Sequence, residues 1–183
     1  MIARLLLALA LALGVAAPAS AEVTLSFYSF NGAFGGRFPH AFVRWEGTTA
    51  DGTVVDGNAG FTAKSISPAI LLGSVYHTIW VEEPQYYEQA NRHFELVIDD
   101  ATFARVQAEV ETWRNLPGKG YNLNRRNCVH FVADIAKLVG LKTDDPGELK
   151  KKPKAYLNHL IELNPQLNAT PVVAATVEWR QAA

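Results

Sequence analysis

Cys128 is the only cysteine in the 183-residue chain, and it directly follows Asn127 at the start of a predicted helix. Asparagine is a preferred helix-capping residue, so Cys128 is expected in the first turn. There the positive end of the helix dipole favours the reactive thiolate and can lower the thiol pKa from about 8.5 to about 3.5–7.5. The position predicts a nucleophile. A buried, inert cysteine that only fills space is the alternative.

A nucleophilic thiol needs a group that takes its proton, and histidine suits this task because its pKa lies near neutrality. His40 opens a predicted strand directly after a glycine-rich loop, where functional residues often collect, so it is the favoured base. His130 lies two residues beyond Cys128 on the same helix and is therefore turned about 200° away from it. It is expected to be a structural contact. His77 and His93 lie in predicted strands and are expected to be surface or half-buried residues.

The first half of the chain has segments in which apolar and polar side chains alternate. These segments predict the strands that must position the candidate residues. Five strands are predicted, over residues 23–30, 40–45, 53–61, 74–81 and 92–98. Apolar residues at helical spacing predict helices over 101–116, 128–139 and 154–163, the first capped by Asp99 or Asp100. Residues 172–179 are predicted to be a last strand or a tail. The fold class is therefore α+β, with a mostly antiparallel sheet of about five strands packed against helices.

The first 21 residues resemble an export signal rather than part of the fold. Arg4 precedes an apolar stretch over 5–15, and Ala19-Ser20-Ala21 forms a small-residue cleavage site, so the mature chain is expected to begin at Glu22. This predicts a periplasmic or secreted protein. No apolar run reaches the ~20 residues of a membrane-spanning helix, so no transmembrane segment is expected. A single cysteine in an oxidising compartment cannot form an internal disulfide.

Residues 22–183 are expected to form one domain, with a C-terminal extension from about residue 153. Only one of the 17 basic side chains lies in the signal, so 16 basic and 18 acidic side chains remain, and nucleic acid is not an expected partner. The basic cluster at 150–154 is predicted to be a solvated loop. No metal-ligand spacing or phosphate-binding loop is present, so neither a metal nor another cofactor is expected. No pattern indicates an oligomeric state.

A family resemblance rests on the segment that contains the cysteine: Tyr121-x-Leu123-x-x-x-Asn127-Cys128-x-His130-Phe131-Val132. It resembles the nucleophile motif of the lecithin:retinol acyltransferase-like proteins, which are circularly permuted relatives of the NlpC/P60 papain-like peptidases. The strand that starts His40-Ala-Phe-Val-Arg-Trp resembles the base strand of that group, and the histidine likewise precedes the cysteine. The resemblance spans about residues 38–140 and implies a papain-like fold.

The resemblance also implies site residues. Cys128 is the nucleophile, His40 the base and Tyr121 an oxyanion donor beside the N–H of Cys128. The family commonly orients its base with a second polar residue, often histidine, on the next strand. Here that strand holds Asp56, which matches best by spacing, and Asn58, and Asp56 is equally compatible with a plain turn-flanking role. The sequence also departs from the motif at Val129, where the family has glutamate.

The expected activity is that of an exported thiol hydrolase or acyltransferase. An amide or ester substrate of the cell envelope, such as a peptidoglycan peptide, a lipoprotein or a lipid acyl donor, would form an acyl-thioenzyme. Phe30, Phe34 and Phe38 either line an acyl groove or pack the core. The rival interpretation is a papain-like binding module that has lost its chemistry, which the missing second histidine favours.

Overall fold

A single antiparallel sheet organises the protein in the computed structural model, which describes residues 22–32 and 38–172. Its strands follow the order β4-β3-β2-β1-β5. The bounds are β1 Glu22–Phe30, β2 His40–Thr48, β3 Val54–Ala63, β4 His77–Trp80 and β5 Asn91–Ile98. Each neighbouring pair runs antiparallel. The sheet confirms the predicted α+β class and its five antiparallel strands.

Five α-helices accompany the sheet in the described part of the chain. They are α1 Ala69–Leu72, α2 Pro84–Tyr87, α3 Asp100–Arg114, α4 Cys128–Leu138 and α5 Pro153–Leu163. The three longer helices were predicted to within a few residues. The one-turn helices α1 and α2 were not, because four residues are too few to show a helical period. No helix among residues 22–32 and 38–172 is long and apolar enough to cross a membrane.

The hydrophobic core lies between one face of the sheet and the longer helices. In β1 and β2, alternate residues such as Leu25, Phe27 and Val43 are fully buried there, as a strand with one covered face requires. Helix α4 contributes Phe131, Val132 and Ile135, and α5 contributes Tyr156, Leu157 and Leu160. Helix α5 therefore packs into the same core as the sheet, although it lies in the segment that was expected to be an extension.

Register explains how the chain brings distant residues together at one end of β2. Strand β2 pairs with β1 along its whole length, from Phe30–His40 to Glu22–Thr48. Its pairing with β3 ends at Val43–Ala59, and β3 then continues with β4 as its partner. The first residues of β2 therefore lack a paired neighbour on the β3 side. The N-terminus of α4 lies against this unpaired end.

Candidate functional site

Cys128 is the first residue of α4, as the sequence predicted, and Asn127 is its N-cap. The Asn127 side-chain oxygen accepts hydrogen bonds from the N–H groups of Val129 (2.9 Å) and His130 (3.4 Å). Its amide nitrogen donates to the carbonyls of Leu123 (2.9 Å) and Lys150 (2.7 Å). Asn127 therefore fixes the start of the helix and ties it to two loops. The N–H of Cys128 is left out of the cap.

Replacing Asn127 by alanine is expected to lower the free energy of unfolding by about 3 kcal/mol. A lost N-cap costs about 1 kcal/mol, and the buried partners left without hydrogen bonds cost about 1–3 kcal/mol more. Urea unfolding of the variant checks this value. Asn124→Ala is the matched control, because Asn124 lies in the same loop and is exposed. An equal, small effect of both substitutions would contradict the assigned role of the cap.

The thiol of Cys128 is almost fully covered, with 7% of the residue exposed. Burial raises its pKa to about 11. The N–H groups of Ala41, Val129 and Cys128 itself face the sulfur and lower this pKa, but they do not outweigh burial. The sequence-based expectation of a lowered thiol pKa is therefore corrected, since that expectation weighed the helix terminus and not the desolvation. The resting group is a neutral thiol.

Tyr121, the expected oxyanion donor, lies near Cys128. It is buried, and its backbone forms a two-way bridge with Val75. Burial and the neighbouring cysteine raise the pKa of its phenol. The hydroxyl therefore keeps its proton over the physiological range and can act as a hydrogen-bond donor.

His40 occupies the unpaired end of β2, next to the amide that contacts the sulfur. The Ala41 N–H faces the sulfur and is attached directly to the carbonyl carbon of His40. The His40 backbone therefore lies within a few ångströms of the thiol. By strand alternation, the imidazole projects with Phe42 away from the helices. It lies against Gly60, where a Cβ atom would overlap Nε2. Among the described residues, no hydrogen bond joins this imidazole to Cys128.

The His40 imidazole is neutral at neutral pH. Burial lowers its pKa to about 4. Its Nε2 atom is buried and has no hydrogen-bond partner within the part of the chain that the structure describes. A buried ring nitrogen without a partner is uncommon in a folded protein and calls for a functional explanation.

Glu82 is an acidic group close to His40, and sequence reasoning missed it. One carboxylate oxygen lies 3.9 Å from His40 Nε2, and both side chains are only 14% exposed. Asn58 holds the Glu82 backbone, accepting from its N–H (2.6 Å) and donating to its carbonyl (2.9 Å). Burial raises the pKa of the Glu82 carboxyl. Because the imidazole is neutral and the distance exceeds that of a hydrogen bond, the two groups form a close polar contact and not an ion pair.

Asp56, the residue expected to orient the base, lies elsewhere. It pairs in register with Glu46, near the far end of β2, and its carboxylate accepts a hydrogen bond from Arg44 at 3.0 Å. The side chain is largely exposed. Asn58, the alternative, forms no hydrogen bond with His40 in the described part of the chain but holds the backbone of Glu82. Strand β3, which was expected to supply the residue that orients His40, therefore acts indirectly, through the position of Glu82.

The remaining histidines are engaged elsewhere. His130 Nδ1 lies 3.0 Å from the Asn127 side-chain oxygen, which makes it the structural contact that was predicted. The Nδ1 atom of His77 accepts from the Gly120 N–H, and its Nε2 lies 3.2 Å from the Arg114 carbonyl oxygen. His93 is more buried than expected, and its Nε2 lies 2.8 Å from Ser29 Oγ. Burial lowers the pKa of His93 to about 4.

A cavity of about 420 Å³ lies near the site without including it. It is lined by Phe30, Asn31, Pro39, Asn158 and the segment 151–155. Phe30 lines it, Phe38 is exposed, and Phe34 lies outside the described residues. Within the described ranges, no cluster of three or more His, Cys, Asp or Glu side chains is arranged to hold a metal ion.

The described part of the chain thus brings together Cys128, Tyr121, Asn127 and the His40 backbone, with Glu82 behind the imidazole. The arrangement can supply a nucleophile and N–H donors at a helix terminus, whereas the His40 imidazole projects away from the sulfur. No protein-family model matches the chain, and no curated protein or solved structure matches it significantly. The relationship to permuted papain-like proteins is therefore a hypothesis carried by the residues alone.

Proposed function

We propose that this protein is a cysteine-dependent hydrolase or acyltransferase of the cell envelope, with a permuted papain-like fold. The observation that carries the proposal is the contact of the Cys128 sulfur with the Ala41 amide, directly after His40. This contact supports the proposal because it brings the backbone of His40, distant in sequence, close to a helix-terminal thiol. The predicted export signal, which lies outside the described residues, supports the location.

In the proposed mechanism, the Cys128 sulfur attacks an acyl carbonyl carbon while His40 takes the thiol proton. Both groups rest in their neutral forms, so proton transfer accompanies the attack instead of preceding it. For this transfer, the His40 imidazole must rotate from its resting position towards the sulfur. The rotation takes place at the end of β2 that does not pair with β3. The Cys128 N–H, which the cap does not use, and the Tyr121 hydroxyl stabilise the oxyanion.

The bond to the leaving group then breaks, and His40 returns the proton to the departing alcohol or amine. An acyl-thioenzyme remains on Cys128. Water releases the acyl group as a carboxylic acid in a hydrolase, and a second alcohol or amine accepts it in an acyltransferase. The negative charge of the Glu82 carboxylate, which lies 3.9 Å from Nε2 at rest, stabilises the imidazolium that forms between these steps.

The experiment that tests this proposal is intact-mass measurement after incubation with p-nitrophenyl acetate. The protein is expected to gain one acetyl group, removable by hydroxylamine, and peptide mapping is expected to place it on Cys128. His40→Gln should slow the gain. Acetylation only of lysines, or none at all, would reject an acyl-thioenzyme.

Glu82→Gln is expected to slow acyl-enzyme formation about 10²-fold. The effect should be smaller than the ~10⁴-fold loss at a hydrogen-bonded triad carboxylate, because the contact here is 3.9 Å. Removing the negative charge lowers the histidine pKa further, so the acid limb of the rate profile should move to lower pH. Glu83→Gln, at the exposed neighbouring residue, is the control. If both variants keep the wild-type profile, Glu82 does not act on the base.

A binding module without chemistry is the second candidate. The covered neutral thiol and the imidazole that points away from the helices favour it. In that case His40 and Glu82 would form a structural contact only. The acyl-enzyme experiment separates the two candidates.

A further inference from the structure

Two segments next to the candidate site, the first of which contains helix α1, are joined to each other by hydrogen bonds. They comprise residues 64–76 and 118–126. The N–H groups of Val75 and Tyr121 each donate to the other residue's carbonyl, at 2.9 and 3.1 Å. The side-chain amide of Asn122 donates to Ser74 Oγ at 3.1 Å. The two segments therefore present one continuous surface.

Aliphatic side chains stand out from this surface instead of packing into the core. Ile66 is 68% exposed, Leu71 75% and Leu72 89%. Leu71 and Leu72 line a shallow cavity of about 240 Å³ together with Arg125. Exposed aliphatic residues are common singly, but three within seven residues, two of them beside a cation, indicate a contact surface.

The same two segments carry only positive charge. Lys64, Lys119, Arg125 and Arg126 are exposed, and neither segment contains an acidic residue. None of the four forms an ion pair with another described residue. Because the whole chain has a formal charge of −1, this concentration of positive charge is local and not a reflection of composition.

We propose that this basic-aliphatic surface binds an anionic lipid membrane. The surface comprises Lys64, Ile66, Leu71, Leu72, Lys119, Arg125 and Arg126. Aliphatic side chains flanked by cations match the interfacial region of a bilayer, where apolar tips enter the acyl boundary and cations contact lipid phosphates. An aqueous anion would not account for the exposed leucines, and a purely apolar partner would not account for the four cations. The inference goes beyond the chemistry proposed for Cys128 and does not depend on it.

Vesicle co-sedimentation tests the inference. The protein is expected to sediment with phosphatidylcholine vesicles that contain phosphatidylglycerol and much less with phosphatidylcholine alone. Arg125→Gln/Arg126→Gln should reduce partitioning on the order of 25-fold, at about fivefold per charge. Leu71→Ser/Leu72→Ser should also reduce it. Added salt should weaken binding of the wild type.

Matched controls use exposed residues outside the surface. Lys151→Gln/Lys152→Gln removes the same charge elsewhere, and Val97→Ser removes an exposed aliphatic side chain from β5. Both should bind vesicles as the wild type does, and circular dichroism verifies that every variant is folded. The inference fails if the wild type does not bind anionic vesicles, or if the control variants and the surface variants lose vesicle binding equally. It also fails if the leucines instead hold two copies of the chain together, which sedimentation velocity detects.

Discussion

Replacing Cys128 by alanine is expected to lower acyl-substrate turnover at least about 10⁴-fold, the scale of loss when an enzyme loses its nucleophile. The chain has no second cysteine that could take over. The fold should persist, because alanine removes a single buried heavy atom, worth about 1 kcal/mol. Steady-state turnover, measured beside thermal unfolding, checks both parts of this expectation.

Cys128→Ser is the closest control, since it keeps the size of the side chain but supplies a much weaker nucleophile. It should be nearly as inactive as the alanine variant. In the wild type, alkylation of the thiol by iodoacetamide should accelerate as pH rises from neutrality towards about 11, where the thiolate forms. Wild-type turnover in Cys128→Ala would mean that another group carries the reaction and would overturn the assignment of Cys128 as the nucleophile.

The local part of the site was predictable from the sequence. Asn127 and the apolar stripe of α4 are near neighbours in the chain, so capping preference and helical spacing locate the helix start and with it Cys128. The strands were predicted for the same reason, since alternation is a property of consecutive residues. The observed α4, Cys128–Leu138, differs from its predicted bounds by a single residue.

The orienting group was not predictable, because it depends on contacts between distant segments. Glu82 follows β4, and hydrogen bonds with Asn58 on β3 hold its backbone beside His40. Asp56 looked suitable by spacing, but strand register places it beside Glu46 and Arg44. No sequence pattern marks Glu82 as a partner of His40. An acidic residue directly after a short predicted strand is too common a feature to point there.

The pKa of the Cys128 thiol was likewise not predictable from the sequence. Helix position is a local property and predicted a lower value, whereas burial is a property of the packed molecule and raised it. The direction depended on how completely β2, Tyr121 and α4 cover the sulfur. Sequence reasoning had no measure of that coverage.

Acidification from pH 6.5 to 4 is expected to destabilise the protein by about 6 kcal/mol through His40 and His93. Burial lowers both pKa values from 6.5 to about 4, and each shift corresponds to about 3 kcal/mol. Because each folded-state pKa lies below the unfolded one, the contribution is present above pH 6.5 and is lost as pH falls towards 4. Domains are typically stable by about 5–15 kcal/mol, so unfolding near pH 4 is the expected outcome.

Urea titrations at several pH values measure how the free energy of unfolding changes with pH. This slope is compared between variants, because a substitution also changes the free energy of unfolding at neutral pH. His40→Gln and His93→Gln should each remove about half of the acid-induced loss. His159→Gln is the control with the opposite sign. The hydrogen bond to Asp144 raises the pKa of His159, so its small contribution is present at low pH and lost as pH rises. If His40→Gln left the slope unchanged, the imidazole would not be a buried neutral group, and a base poised beside Glu82 would lose its physical basis.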